Sequence, residues 1–265
     1  MRIPYFHVDA FASRQFEGNP AGVCLLQNWL PDKLLRNIAM ENNLSETAFL
    51  VPAPEGWNLR WFTPEVEVDL CGHATLAAAF VLFVCREHPE SVVHFQSRSG
   101  PLCVRREGAD LFVLDFPSWP GTAIEPPTEL IEAFGSRPDE VYRARDYMAV
   151  FKTEEVVELL QPKMSSLLKL DCTGIIATAP GKTHDFVSRF FAPRVGVPED
   201  PVTGSAHCTL APYWARRLGK TKLRAAQLSR RRGELQCEVR GERVLLQGQA
   251  LLHLRGEIEL KPELC

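Results

Sequence analysis

The sequence predicts an α+β protein of two pseudo-repeated halves, each a curled, mostly antiparallel sheet or barrel around a central buried helix. Three observations carry this expectation. A segment of the first half recurs in the second. Each half holds one helix-like run that is apolar nearly all round. Strand-like runs outnumber helix-like ones and do not alternate with them, which argues against a doubly wound parallel sheet.

The repeat is visible by eye. Arg60-Trp61-Phe62-Thr63-Pro64-Glu65-Val66-Glu67-Val68 is answered, 129 positions on, by Arg189-Phe190-Phe191-Ala192-Pro193-Arg194-Val195-Gly196-Val197. Arg, the second aromatic, Pro and two Val positions coincide. Cys71-Gly72-His73-Ala74 is then answered by Thr203-Gly204-Ser205-Ala206, 132 positions on, so the second copy carries three extra residues. They are expected in the stretch that holds Asp200. Gly100-Pro101-Leu102 matches Gly233-Glu234-Leu235 further on, and strand-like alternation follows each.

Residues 3–11, 21–26, 46–52, 57–63, 92–97 and 110–116 are rich in β-branched and aromatic residues between Gly, Pro and Asn, and are expected as strands. Residues 31–41 are an amphipathic helix started by Pro31-Asp32. Residues 73–86 have no polar face, which requires burial. Their counterpart, 205–218, stops at Gly219. Sheet must wrap a helix buried on every side. The Pro-rich stretch Pro117 to Pro127 marks the boundary between halves. The expected domains are 1–118, with the C-terminal strand 250–265 returning to them, and 119–249.

Bulk properties remove several function classes. The 265 residues are 45% apolar, ample for two cores. The net charge is −3, without the basic excess a nucleic-acid binder needs. The longest apolar run, Leu76 to Cys85, is about half of the ~20 residues of a membrane helix. The N-terminus has no long apolar segment of the secretory kind, so a cytoplasmic location is expected. The eight cysteines include no C-x-x-C pair, and the expectation is reduced thiols with no zinc site. Pro180-Gly181-Lys182-Thr183 resembles the end of a phosphate loop but has Ile176 where the first Gly is required.

Candidate chemistry gathers at the two repeated helix starts. A helix N-terminus offers unpaired N–H groups and partial positive charge, and Gly72 and Gly204 let a ligand approach closely. Two such starts at equivalent repeat positions suit a small carboxylate, held in a cleft between the halves. Glu46 sits where a helix ends and the apolar run Ala48-Phe49-Leu50-Val51 begins. A desolvated carboxylate there suits proton transfer, although the local sequence alone favours a solvated strand-start side chain. Asp200 precedes Pro201, and Glu199 beside it is as plausible a functional carboxylate by composition. His73, at the start of the buried helix, fits a cap or an orienting group equally well.

Several motifs then resemble one family. They are Asp9-Ala10-Phe11, Gly18-Asn19-Pro20-Ala21-Gly22-Val23, Leu44-Ser45-Glu46-Thr47-Ala48-Phe49, Trp61-Phe62-Thr63-Pro64, Leu70-Cys71-Gly72-His73-Ala74-Thr75 and Glu199-Asp200-Pro201-Val202-Thr203-Gly204-Ser205-Ala206. In this order they resemble the PhzF-like (phenazine biosynthesis-like) isomerases, whose fold is similar to diaminopimelate epimerase. The resemblance implies a cofactor-independent isomerase that moves a proton on a small cyclic carboxylate, as the family does on a dihydro-hydroxyanthranilate. By the resemblance Glu46 carries the proton, and His73 and Asp200 complete the catalytic group. Asn19, Ser45, Gly72, Gly204 and Ser205 bind substrate, and the protein is a homodimer. Two alternatives stand beside this. One is an epimerase or racemase using Cys71, which lacks a second cysteine at Pro201 to Thr203. The other is a binding or regulatory protein that kept only the fold.

Overall fold

The computed structural model describes residues 1–108 and 110–261. Residues 262–265, with Cys265 and the end of the expected 250–265 strand, lie outside the described residues. The strands are β1 (Arg2–Ala10), β2 (Asn19–Leu25), β3 (Glu46–Ala53), β4 (Gly56–Phe62), β5 (Glu67–Val68), β6 (Val92–Ser97), β7 (Gly100–Glu107), β8 (Leu111–Pro117), β9 (Thr122–Ile124), β10 (Glu140–Arg143), β11 (Tyr147–Val150), β12 (Ile175–Pro180), β13 (Phe186–Ala192), β14 (Val197–Asp200), β15 (Lys222–Gln227), β16 (Gly233–Arg240) and β17 (Arg243–Glu259). The α-helices are α1 (Asp32–Asn42), α2 (Gly72–Phe80), α3 (Thr128–Phe134), α4 (Glu154–Leu159), α5 (Met164–Leu167) and α6 (Gly204–Leu218). Among the described residues, no helix is long and apolar enough to cross a membrane.

The chain divides into two compact units, Met1–Asp115 with Gln247–Cys265, and Phe116–Leu246. In the first unit β1 and β2 are antiparallel, β2 and β3 parallel, β3 and β4 antiparallel, β4 and β6 parallel, and β6 and β7 antiparallel. β17 pairs with β8, and its residues 250–259 pair antiparallel with β1, which closes the sheet into a barrel. Every residue of α2 is buried, against β1, β2, β3 and β7. Ala74, Ala77, Ala78 and Ala79 let strands approach this helix closely. Where the sequence suggested one helix over 73–86, α2 gives way at Val81–Cys85 to a π-helical turn. Outside the barrel, Leu34, Leu35, Ile38 and Ala39 of α1 pack with Phe49 and Phe62.

The second unit repeats this order of pairings. β10 and β11 are antiparallel, β11 and β12 parallel, β12 and β13 antiparallel, β13 and β15 parallel, and β15 and β16 antiparallel. Its helix α6 packs on β15 and β16 and stops at Gly219, whose φ of 68° is left-handed.

Individual bonds repeat as well. Arg60 binds Glu67 with two bonds, Nε to Oε1 at 2.7 Å and Nη2 to Oε2 at 2.8 Å. Arg189 binds Glu199 the same way, at 2.7 and 3.0 Å. Each guanidinium also lies over an aromatic ring two residues on, Phe62 at 5.1 Å and Phe191 at 5.0 Å. The Ser99 hydroxyl donates to the Asp69 carbonyl at 2.5 Å, and the Ser229 hydroxyl donates to the Pro201 carbonyl at 2.8 Å. One turn into each central helix, a side chain donates to the carbonyl four residues back: Thr75 to Cys71 at 2.6 Å, and His207 Nδ1 to Thr203 at 2.8 Å.

These bonds correct the register read from the sequence. Trp61 pairs with Val68, whereas Phe190 pairs with Asp200. The three extra residues therefore fall before Glu199, where Pro193–Val195 form a 3₁₀ turn. Val68 matches Asp200, and the Val66/Val195 and Val68/Val197 coincidences are accidental. Glu199, once as plausible as Asp200, is the structural partner of Arg189.

Arg189 Nη1 also donates to the carbonyls of Val157, Glu158 and Leu160 at 3.2, 3.2 and 2.7 Å. Arg189→Met should therefore cost about 1–3 kcal/mol in chemical denaturation, more than Arg60→Met, because it strands partly buried acceptors at Val157 and Leu160. Burial lowers the pKa of His207 to about 4. Between pH ~6.5 and ~4 the unfolded chain binds a proton there that the folded chain refuses, so stability falls as pH falls through this window. His207→Gln should flatten that part of the stability–pH curve, and an unchanged slope would remove His207 as its cause.

Candidate active site

The first unit brings Glu46, Cys71, His73 and Asn19 together. Glu46 opens β3, and His73 is the second residue of α2, held at the barrel's inner helix. His73 Nε2 lies 3.1 Å from Glu46 Oε2. On the other side of the ring, the Asn19 amide nitrogen lies 3.0 Å from Nδ1. With the amide so placed, Nδ1 accepts and the Nε2 proton faces Glu46; with the amide turned over, Oδ1 would accept from an imidazolium. Glu46 Oε2 makes no aligned hydrogen bond among the described residues, so its acceptor capacity is available to a reacting group.

Cys71 Sγ lies 3.5 Å from His73 Nδ1 and 4.0 Å from Nε2. Burial pushes the Cys71 thiol up to about 11, and the Glu46 charge adds to the push. Burial works against a charge on His73, but Cys71 and Glu46 outweigh it and hold the imidazole well above its usual range. A thiol with so high a pKa is neutral at neutral pH.

Asn19 was expected to bind substrate. It is fully buried and bonded to His73, which makes it a support for the ring. Ser45 is half-buried beside Glu46. Gly72 is buried at the start of α2, and the preceding Cys71 contributes no side-chain cap to the first-turn amides.

In the second unit, Asp200 ends β14 and accepts a short hydrogen bond from the Thr203 hydroxyl. Gln227, missed in the sequence and fully buried, ties this turn together. Its Nε2 donates to the Asp200 carbonyl at 2.8 Å and to Thr203 Oγ1 at 3.1 Å, while its Oε1 accepts from the Thr203 amide at 2.8 Å. Gly204 and the half-buried Ser205 open α6, again without a side-chain cap. No local motif marks Gln227, because its partners lie 24 or more residues away.

The repeat is broken at the reactive positions. Thr47 pairs with Phe62, and Ile175 pairs with Phe191. Phe62 and Phe191 are equivalent, so Glu46 corresponds to Gly174. A Cβ at Gly174 would meet the Phe190 ring at 2.0 Å, so no side chain fits there without moving that ring. Cys71 corresponds to Thr203, and His73 to Ser205. Each unit thus offers a helix start, while the Glu46–His73 pair has Gly174 and Ser205 at the equivalent positions of the second.

Comparison with known proteins agrees with this architecture. The family model described as "Phenazine biosynthesis-like protein" matches residues 8–256. A Pseudomonas aeruginosa protein named an uncharacterized isomerase is 52% identical over 98% of this chain and 100% of its own. A crystal structure of a PhzF-family phenazine biosynthesis protein from Enterococcus faecalis superposes with a TM-score of 0.95 at 49% identity, over 98% of this chain and 100% of that one. A probable proline racemase from Agrobacterium radiobacter, at 12% identity, shares the fold alone, with a TM-score of 0.67 over 98% of this chain and 94% of that one. A duplicated barrel with a diaminopimelate epimerase-like fold and a family match over nearly the whole chain lead to one conclusion: this is an isomerase of the PhzF-like, phenazine biosynthesis-like family.

Proposed function

We propose that the protein is a cofactor-independent isomerase that moves a proton between two carbons of a small cyclic carboxylate, with Glu46 as the single acid and base. The observation that carries this reading is the unmatched Glu46–His73 pair, 3.1 Å apart, with the sterically closed Gly174 at the equivalent place. Chemistry on opposite faces of a carbon needs two bases. A duplicated fold with one carboxylate base suits removal and return of a proton on one face.

In this mechanism Glu46 takes the proton from one substrate carbon and returns it to another. His73, with Nε2 3.1 Å from Glu46 Oε2, holds the carboxylate in place by charge, and Asn19 holds His73. The uncapped helix starts at Gly72 and at Gly204-Ser205 bind the substrate's anionic group, with Ser45 beside Glu46. Asp200, fixed by Thr203 and Gln227, orients the substrate's polar groups. The epimerase alternative loses support, since the Cys71 thiol is held protonated and Thr203 stands at the position of a second thiol. The family resemblance further supports a cytoplasmic homodimer.

The reading predicts deuterium exchange in D₂O with cyclic amino and hydroxy carboxylates, a dihydro-hydroxyanthranilate among them, followed by proton NMR. The label should enter on one face only. Glu46→Gln should lower the exchange rate about 10²–10⁴-fold while ligand affinity stays within a few-fold. Near-normal exchange in that variant, or label on both faces, would refute single-glutamate chemistry. Light scattering at micromolar concentration should give twice the chain mass of 29.8 kDa, and a monomer would remove the dimer from the proposal.

A further inference from the structure

Glu46, Cys71 and His73 place a carboxylate oxygen, a sulfur and an imidazole nitrogen within 4.8 Å of one another. These are the three side-chain donor types that zinc takes. We propose that this trio binds one thiophilic divalent cation of the zinc class, and that the bound cation silences the isomerase. The binding stands on geometry alone; the silencing rests on the function proposed above.

Zn–S bonds of about 2.3 Å and Zn–N and Zn–O bonds of about 2.0–2.1 Å place tetrahedral donors roughly 3.4–3.6 Å apart. His73 Nε2 is 3.1 Å from Glu46 Oε2 and 4.0 Å from Cys71 Sγ, each within about half an ångström of that spacing. Sγ lies nearer Nδ1, at 3.5 Å, so Cys71 has to turn about its Cα–Cβ bond to meet a cation held by Nε2 and Oε2. The backbone on either side is fixed, by the Thr75 hydroxyl on the Cys71 carbonyl at 2.6 Å and by the surrounding barrel.

Charge and hydrogen bonding favour the same arrangement. The cation displaces two protons to solvent, one from the Cys71 thiol and one from Nε2 of the His73 imidazolium, and its two positive charges are matched by one thiolate and one carboxylate, leaving a neutral centre in a buried place. The neutral imidazole then coordinates through Nε2 and carries its proton on Nδ1. The Asn19 amide, turned over, accepts that proton's hydrogen bond and serves as the outer support that ligating histidines have. A fourth position stays open. Such a cation occupies the Glu46 oxygen and the His73 nitrogen together, so neither can serve proton transfer.

The test uses the full chain, freed of metal with a chelator and titrated with Co²⁺ as a spectroscopic probe. One equivalent should bind with a sulfur-to-cobalt charge-transfer band in the near ultraviolet. Cys71→Ser should abolish the band and weaken binding at least about tenfold, and Glu46→Gln should keep the band with weaker binding. Cys103→Ser removes an exposed thiol and should change nothing. X-ray absorption on the Zn²⁺-loaded wild type, which needs no variant, should find one sulfur in the shell. A band that survives Cys71→Ser, or a zinc shell without sulfur, overturns the site. Zn²⁺ should also stop deuterium exchange in wild type; exchange that continues at full Zn²⁺ occupancy overturns the silencing while leaving the site and the isomerase reading intact.

Discussion

A helix with no polar face can be kept from water only if sheet surrounds it, and the first unit is organised around that demand. α2 carries Ala at four positions and offers little bulk, so the strands close tightly on it. A helix enclosed in this way can present chemistry only at its ends. Its first residues are therefore where polar side chains can gather without breaking the core, and Cys71, Gly72 and His73 are those residues. The Glu46–His73 pair follows from this placement, since β3 begins beside the same helix start. Burial holds the Cys71 thiol neutral, and it opposes a charge on His73 that Cys71 and Glu46 together favour.

Duplication supplied the frame, and the residues proposed for the chemistry stand where the two copies diverge. The parts kept in both units are scaffold bonds: the doubly bonded Arg–Glu pairs, the serine hydroxyls on the helix approach, and the side-chain bond one turn into each central helix. The parts that differ are the residues of the candidate site. Glu46 faces a glycine in the alignment of the halves, Asp200 faces a valine, and Cys71 faces a threonine. A symmetric scaffold with asymmetric side chains suits the proposed one-face proton shift, which needs one base and several binding groups.

Much of the fold was legible because repeats and periodicity are local signals. The Arg60 and Arg189 segments, the two apolar helices and Gly219 could be read directly from the chain. The register between halves was not, because Pro and Val occur on both sides of the three-residue insertion and produce chance matches; only the pairings of Trp61 and Phe190 resolve it. Glu46 looked like an ordinary strand-start carboxylate by its neighbours, and family resemblance singled it out. Gln227, the contact of Asn19 with His73 and the closed space at Gly174 left no local trace. Each depends on partners 16 to 54 residues away, brought together by strand pairing.

The path of β17 has a consequence in time as well as space. It starts in the second unit and ends against β1, with Ala10 opposite Ala250 and Arg2 opposite Glu259. During synthesis the first unit emerges from the ribosome well before the strand that seals it. β1 and β8 must therefore wait with open edges while the second unit is made, and open edges are where nascent chains cross-pair. The half that is translated first is thus the half that matures last, and its reactive pair is enclosed by a complete barrel only after residues 250–259 have been delivered.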